Sequence, residues 1–267
     1  MPRSAVVIPT YNEADNLPTL LERIYKAGDY EVLIVDDGSP DGTGDLAEEL
    51  GRGAHAGRLS VLHRTQKEGL GPAYIAGFRK VLSEQCDFIY QMDADLSHDP
   101  AGLNALQAAL TEADVAVGSR YVAGGGTVGW PRRRLLLSSW GSFYARTVLG
   151  LPVRDLTGGF KGFRRRALQA VDFSRIGTKG YGFQIETTYQ LHRQGFRLVE
   201  VPIVFSERQL GTSKMSLAIV AEAMFLPWRL ALPAWQNALL GGIGPGGARL
   251  MRAIRVPVRS DSDRDGR

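Results

Sequence analysis

The sequence predicts an α/β fold: a mixed, mostly parallel sheet flanked by helices, in a single domain with an amphipathic helix near its C-terminal end. Two observations predict the sheet. Short apolar runs alternate with amphipathic ones through the first half of the chain, and polar clusters follow four of those runs. Length is the third observation, since 267 residues are enough for one large, well-buried domain or two small ones.

The runs Ala5–Ile8, Val32–Val35, Leu59–Leu62, Phe88–Met92 and Val115–Val117 read as buried strands. Between the first two, Leu17, Leu20, Leu21, Ile24 and Tyr25 fall on one helical face. Segments 43–50, 70–84 and 100–110 read as helices, as do 135–149 and 183–194 further on. Val199–Phe205 reads as one more strand, and Gly124–Gly125–Gly126 as a flexible loop. Past Gly241 a glycine-rich run breaks regular structure, and 241–267 reads as a flexible tail.

Charge is unevenly distributed. Residues 1–100 hold 17 acids against 9 bases, a net of −8, whereas 115–154 hold six arginines and no acid. An acidic half suits a divalent cation, and a basic half suits anions or an anionic membrane surface. A nucleic-acid binder would also fit a pI near 9.3. However, the positive charge is confined to parts of the second half, and no pattern of stacking aromatics accompanies it, so no nucleic-acid partner is expected. Cys86 is the only cysteine, which excludes a disulfide framework and fits a reducing, cytoplasmic location. No signal peptide is evident, and Leu217–Leu240 is interrupted by Glu222, Pro227, Arg229 and Pro233, against a membrane-spanning helix.

In parallel sheets, ligands sit at the carboxyl ends of strands. Thr10–Glu13, Asp36–Ser39, Asp93–Asp95 and Gly118–Arg120 each follow an apolar run. One such cluster would read as a turn. Four in succession point to a shared site. The chemistry is sharpest at Asp93-Ala-Asp95, where two carboxylates one residue apart can meet one hard cation. Mg²⁺ takes one or two carboxylates and completes its shell with water and substrate phosphates, so the motif predicts a diphosphate substrate. His98 has two readings, as a metal ligand or general base and as a packed loop ring, and the second is the commoner. Asp36–Asp37 fits a nucleotide contact better than a place on the metal.

These residues resemble a known family. Pro9-Thr-Tyr-Asn-Glu13, Asp36-Asp-Gly-Ser-Pro-Asp-Gly-Thr43, Asp93-Ala-Asp-Leu-Ser-His98 and Gly118-Ser-Arg-Tyr121 look like family 2 glycosyltransferases of GT-A fold. More narrowly they resemble dolichol-phosphate mannose synthases. Asp155-Leu-Thr-Gly-Gly-Phe160, Lys179-Gly-Tyr-Gly-Phe-Gln184, Phe205-Ser-Glu-Arg208 and Gly211-Thr-Ser-Lys214 agree. Trp130-Pro-Arg-Arg-Arg134 is most similar to actinobacterial polyprenol monophosphomannose synthases. The match runs in order over roughly 5–225.

The resemblance implies inverting transfer of mannose from GDP-mannose to a polyprenyl phosphate, with Mg²⁺ or Mn²⁺. It implies a donor half at 1–120 and an acceptor half at 121–240. Pro9, Tyr11, Glu13, Val35, Asp37, Asp93, Ala94, Lys179, Arg208 and Lys214 would contact the donor, with Asp93, Asp95 and Arg208 as the catalytic set. Asp95 and Asp93 would hold the metal with Ser97, where other members carry a longer Gln. Arg120 and Arg133 or Arg134 would fork onto the acceptor phosphate. That acceptor is mostly a dianion at pH 7, its second pKa being about 6, so Glu186 reads as a structural or orienting group and not a base.

The acceptor's lipid tail implies peripheral attachment to the cytoplasmic face of the membrane, with a membrane-protein partner a further implication. Leu217, Val220, Ala221, Met224, Phe225, Trp228 and Leu230 could form an interfacial face or a core-packing one.

Overall fold

The computed structural model describes residues 2–178, 180, 182–207 and 224–232. In chain order these form β1 (Ser4–Thr10), α1 (Leu17–Ala27), β2 (Glu31–Asp36), α2 (Thr43–Arg52), β3 (Leu59–His63), α3 (Leu70–Ser83), β4 (Phe88–Gln91) and α4 (Gly102–Ala109). There follow β5 (Val115–Ser119), β6 (Gly126–Val128), α5 (Arg132–Leu149), β7 (Lys161–Arg164), α6 (Arg165–Gln169), α7 (Gly182–Arg193), β8 (Leu198–Pro202) and β9 (Val204–Ser206). Residues 224–232 make a further helix, α8.

The main sheet runs β3-β2-β1-β4-β7-β5-β8. Every pairing is parallel except those of β7, which lies antiparallel between β4 and β5. Its insertion leaves β5 pointing the same way as β4, so the ends of β1, β2, β4 and β5 share one edge.

Strand periodicity divides the core. Val6 and Ile8 of β1 pack on one face with Leu17, Leu20, Leu21 and Ile24 of α1. Val7 packs on the other with Val35, Tyr74, Phe78 and Phe183. Full burial of each large apolar side chain stabilises the fold by about 1.5–3 kcal/mol. Gly77 lets α3 settle onto this second face, because a Cβ there would lie 2.4 Å from Val7 Cγ1. At the end of α1, Gly28 closes the helix, its N–H donating to the Ile24 carbonyl at 3.2 Å.

Three sequence readings are corrected. The run 199–205 is two strands: β8 joins the main sheet, while β9 pairs with β6 in a separate two-stranded sheet. Gly126 belongs to β6 and is not loop, because Gly126 N–H reaches the Ile203 carbonyl at 3.0 Å. The helix read at 135–149 begins at Arg132, so the arginine triplet forms its first turn. The tail 241–267 lies outside the described residues.

Candidate active site

The shared edge carries the polar clusters. Asp36 ends β2 and is committed to its own turn: its carboxylate accepts from Thr10 Oγ1 at 3.0 Å and from the Ser39 amide at 3.0 Å. Asp37 is buried and paired with Arg64, which follows β3 and also reaches Glu68. Burial pushes the Asp37 carboxyl up, opposed by the Arg64 charge. Lys67 of the same loop sits 3.5 Å over the Tyr11 ring. Glu13 accepts from Asn16 Nδ2 at 2.7 Å, and its own amide donates to Thr43 Oγ1 at 2.9 Å. Pro9 and Val35 pair across β1 and β2. Arg64 and Lys67 were not singled out from sequence, because only the pairing of β3 with β2 brings that loop beside Asp37 and Tyr11.

Two loop residues that are not glycine hold positive φ, Asn12 at 60° and Leu96 at 60°. Such strain persists where surrounding structure enforces it, commonly at functional sites. At Leu96 the turn brings the Ser97 amide to Asp95 Oδ1 at 3.1 Å. Asp95 and Ala94 are buried. The Ser97 hydroxyl is buried with no partner among the described residues. Asp93 lies beside Tyr74, whose hydroxyl donates to its Oδ1 at 3.0 Å. Burial, reinforced by the Asp93 charge, holds the Tyr74 phenol well above its ordinary pKa.

This donor set is hard: two carboxylates one residue apart and an orphaned buried hydroxyl. It fits Mg²⁺ or Mn²⁺ with substrate oxygens completing the shell. The described residues hold one cluster of three ligating side chains, Glu31, Glu84 and Cys86, and it is elsewhere, with Glu31 paired to Arg3 at 2.8 Å. His98 is a buried, packed ring whose two nitrogens have no hydrogen-bond partner among the described residues. It stacks on Phe160 at 5.2 Å and meets Phe205 edge-on at 5.1 Å. Burial lowers its pKa.

Arg120 is anchored from within the fold. Its fork does not face outward; Nε and Nη2 grip Asp155 at 2.7 Å each, and Nη2 also reaches Thr157 Oγ1 at 3.0 Å. Asp155 is fully buried and accepts the Arg120 amide as well. The motif Asp155-Leu-Thr-Gly-Gly thus anchors Arg120, a role that two segments 35 residues apart conceal from sequence. Arg134 stacks 4.1 Å over Trp130 and pairs with Glu207 at 3.2 Å, while Arg133 is exposed. Lys179, Arg208 and Lys214 lie outside the described residues.

Glu186 is buried and accepts the amides of Gly177 and Thr178 at 3.2 Å each, with Arg229 Nη2 at 3.0 Å. Beside it, Leu226 and Ala231 of α8 are buried, while Met224, Phe225, Trp228 and Leu232 are exposed. Of the apolar face read at 217–230, residues 217–221 lie outside the described residues. Apolar exposure continues on α5, where Leu136 is 68%, Trp140 52% and Phe143 61% exposed. The two helices touch, with Tyr144 Oη donating to the Met224 carbonyl at 2.8 Å. No helix among the described residues is long and apolar enough to cross a membrane.

A mostly parallel sheet with one antiparallel strand, bearing a carboxylate pair at the end of β4, defines a glycosyltransferase of GT-A fold. Residues 5–172 match the family described as Glycosyl transferase family 2. The chain belongs to that family. It is 49% identical over 225 residues to the polyprenol monophosphomannose synthase of Mycolicibacterium smegmatis, covering 84% of each chain. It is 48% identical over 243 residues to the undecaprenyl-phosphate mannosyltransferase of Micrococcus luteus, covering 91% of this chain and 99% of the relative. Among solved structures, the fold resembles glucosyl-3-phosphoglycerate synthase from Mycobacterium tuberculosis with Mn²⁺, UDP and glucosyl-3-phosphoglycerate (TM-score 0.59, 19% identity, 88% of this chain and 79% of that one). It also resembles the mannosyltransferase PcManGT from Pyrobaculum calidifontis with GDP-Man and Mn²⁺ (TM-score 0.54, 18% identity, 94% and 79%).

Proposed function

We propose that this glycosyltransferase moves mannose from GDP-mannose to a polyprenyl phosphate with inversion, releasing GDP. The observation that carries the reading is the pairing of the Asp93/Asp95 edge with an arginine-rich segment in a chain 49% identical to a polyprenol monophosphomannose synthase. Residues 1–120 serve the donor and 121–240 the acceptor.

Asp95 and Asp93, with Ser97 nearby, would hold Mg²⁺ or Mn²⁺, which when bound neutralises charge on the leaving diphosphate. Tyr11, Glu13 and Asp37 orient the nucleotide beneath it, with Pro9, Val35 and Ala94 shaping the floor. Lys179, Arg208 and Lys214 complete the donor contacts. An acceptor phosphate oxygen forms a bond to the anomeric carbon as the bond to the GDP oxygen breaks, and that electron pair leaves with GDP. The nucleophile is already ionised, so no side chain needs to take a proton. Positioning carries the remaining rate enhancement.

The acceptor phosphate is received at the first turn of α5. Three arginines there and no acid oppose the usual preference of a helix N-terminus for negative charge, an arrangement that suits an incoming anion. Arg133 and Arg134 make that contact. Arg120 supports it from Asp155.

The exposed faces of α5 and α8 give a peripheral membrane contact, with Arg132 and Arg133 beside anionic headgroups. The cytoplasmic leaflet is the side on which a nucleotide-sugar donor is available, and a membrane-protein partner can share this surface.

The test is transfer by the purified protein to detergent-solubilised polyprenyl phosphate with labelled GDP-mannose or UDP-glucose. Label enters the lipid phase from GDP-mannose in the presence of Mg²⁺ or Mn²⁺. Label entering only from UDP-glucose overturns the mannose assignment.

A further inference from the structure

The Asp93 carboxylate is gripped from two sides. Its Oδ1 accepts the Tyr74 hydroxyl at 3.0 Å. On the other side the Gly159 backbone comes so near that a Cβ there would lie 2.9 Å from Oδ2. Both walls are themselves fixed. The Tyr74 ring, in the second turn of α3, is fully buried and stacks on Phe183 at 5.7 Å with 4° between planes, and on Phe78 at 5.7 Å. The Gly159 carbonyl accepts from Gln91 Nε2 at 3.0 Å, and the same amide donates to Gln184 Oε1 at 2.7 Å. Gln184 follows Phe183 in α7, so α3, β4 and α7 converge on one carboxylate. Its orientation is set by groups with no freedom of their own, which is how a preorganised site is built.

We propose that Tyr74 is a positioning residue for the reaction: its hydroxyl pins Asp93 so that the carboxylate meets the donor diphosphate and its divalent cation in one orientation. This rests on the reading of Asp93 as a donor and metal contact. It assigns Tyr74 more than a packing role, since the ring alone would fill the same space. The hydroxyl is the part that reaches Asp93.

Tyr74→Phe keeps the ring and removes the hydroxyl. Two readouts are needed, kcat with donor and acceptor and the affinity for GDP at fixed Mn²⁺ by calorimetry, with UDP in a parallel arm. A hydrogen bond to a charged group corresponds to roughly a ten- to hundredfold effect. Tyr74→Phe is expected to lower kcat and Mn²⁺-dependent GDP affinity by about that factor, with the acceptor KM and melting temperature near those of the parent. In an Asp93→Asn background the same change should alter GDP affinity by no more than about twofold.

Parent-like turnover and GDP affinity overturn the proposal. Equal, additive losses with and without the Asp93 carboxylate also overturn it, as does a lowered melting temperature with unchanged metal-dependent binding. If Tyr74→Phe does not fold, 3,5-difluorotyrosine at position 74, which keeps the ring and alters the strength of the hydroxyl's hydrogen bond, takes its place in the same cycle, and additivity is again the overturning result. A parent protein that binds UDP with Mn²⁺ in place of GDP defeats the donor assignment, while the cycle read with UDP still reports on Tyr74.

Discussion

Arg120 and Asp155 form a bidentate ion pair, Nε to Oδ2 and Nη2 to Oδ1 at 2.7 Å each, with the carboxylate wholly shielded from solvent. It ties the residue that follows β5 to the loop before β7. Removing one partner leaves a buried charge without compensation, at about 3–5 kcal/mol. Asp155→Ala should therefore lower unfolding stability by that amount in urea. The double variant Arg120→Met/Asp155→Leu should recover only part of it, because the Arg120 and Gly158 amides lose the same carboxylate, and should still transfer poorly. Near-parental stability of Asp155→Ala would refute the anchoring role.

Asp95 and Glu186 should separate cleanly. Asp95 sits in the strained turn at the end of β4, and its loss should reduce transfer by at least about a thousandfold and remove the dependence on Mg²⁺ or Mn²⁺. Glu186 holds the amides of Gly177 and Thr178. Glu186→Gln should lower the melting temperature by a few degrees and kcat by less than about tenfold. Losses of equal depth in the two variants would mean that a general base is needed after all.

Lys161 makes a prediction about pH. It is 1% exposed on β7, its ammonium donating to the Gln184 carbonyl at 3.0 Å and to Thr188 Oγ1 at 2.9 Å. Burial lowers its pKa to about 7 from an ordinary 10.5, and Asp155 opposes that only in part. Between those values the unfolded chain binds the extra proton, so this group makes the fold more stable as pH rises from about 7 toward 10.5. One proton corresponds to about 1.4 kcal/mol per pH unit. Urea unfolding at several pH values in that window should show a slope greater by that amount in the parent than in Lys161→Met. Equal slopes would place the lysine's folded pKa near its ordinary value.

The α5 surface can be tested on vesicles. Trp140 stacks on Tyr144 at 5.6 Å, and Phe143 is 61% exposed beside them. Burying an aromatic side chain contributes about 1.5–3 kcal/mol. Trp140→Ser/Phe143→Ser should thus cut partitioning onto phosphatidylglycerol vesicles at least about tenfold. Transfer to a short, water-soluble acceptor should be unchanged. Unchanged sedimentation with vesicles would exclude α5 as the contact.

The amino-acid sequence by itself determined the α/β class and the family, because these depend on local signals. Buried parallel strands must be apolar runs, helices between them must show a 3.6-residue period, and turns at strand ends demand Asp, Gly, Ser and Asn. The Asp93–Asp95 motif was legible for the same reason. What escaped has a common cause. Lys161–Arg164 is a central strand flanked by charges, and it becomes one only because β4 and β5 supply its partners. Gly124–Gly126 reads as a loop until Val204–Ser206 pairs with its end.

Tertiary structure alone decided where each charged group spends its hydrogen bonds. Arg120 reads as a substrate fork and turns inward to Asp155. Tyr74 lies within the helix read at 70–84, and only the fold shows that its hydroxyl ends on Asp93. Local sequence limits what a side chain can do, but its partner arrives from a distant segment, and in a low-dielectric interior a buried charge takes the partner the fold brings within reach.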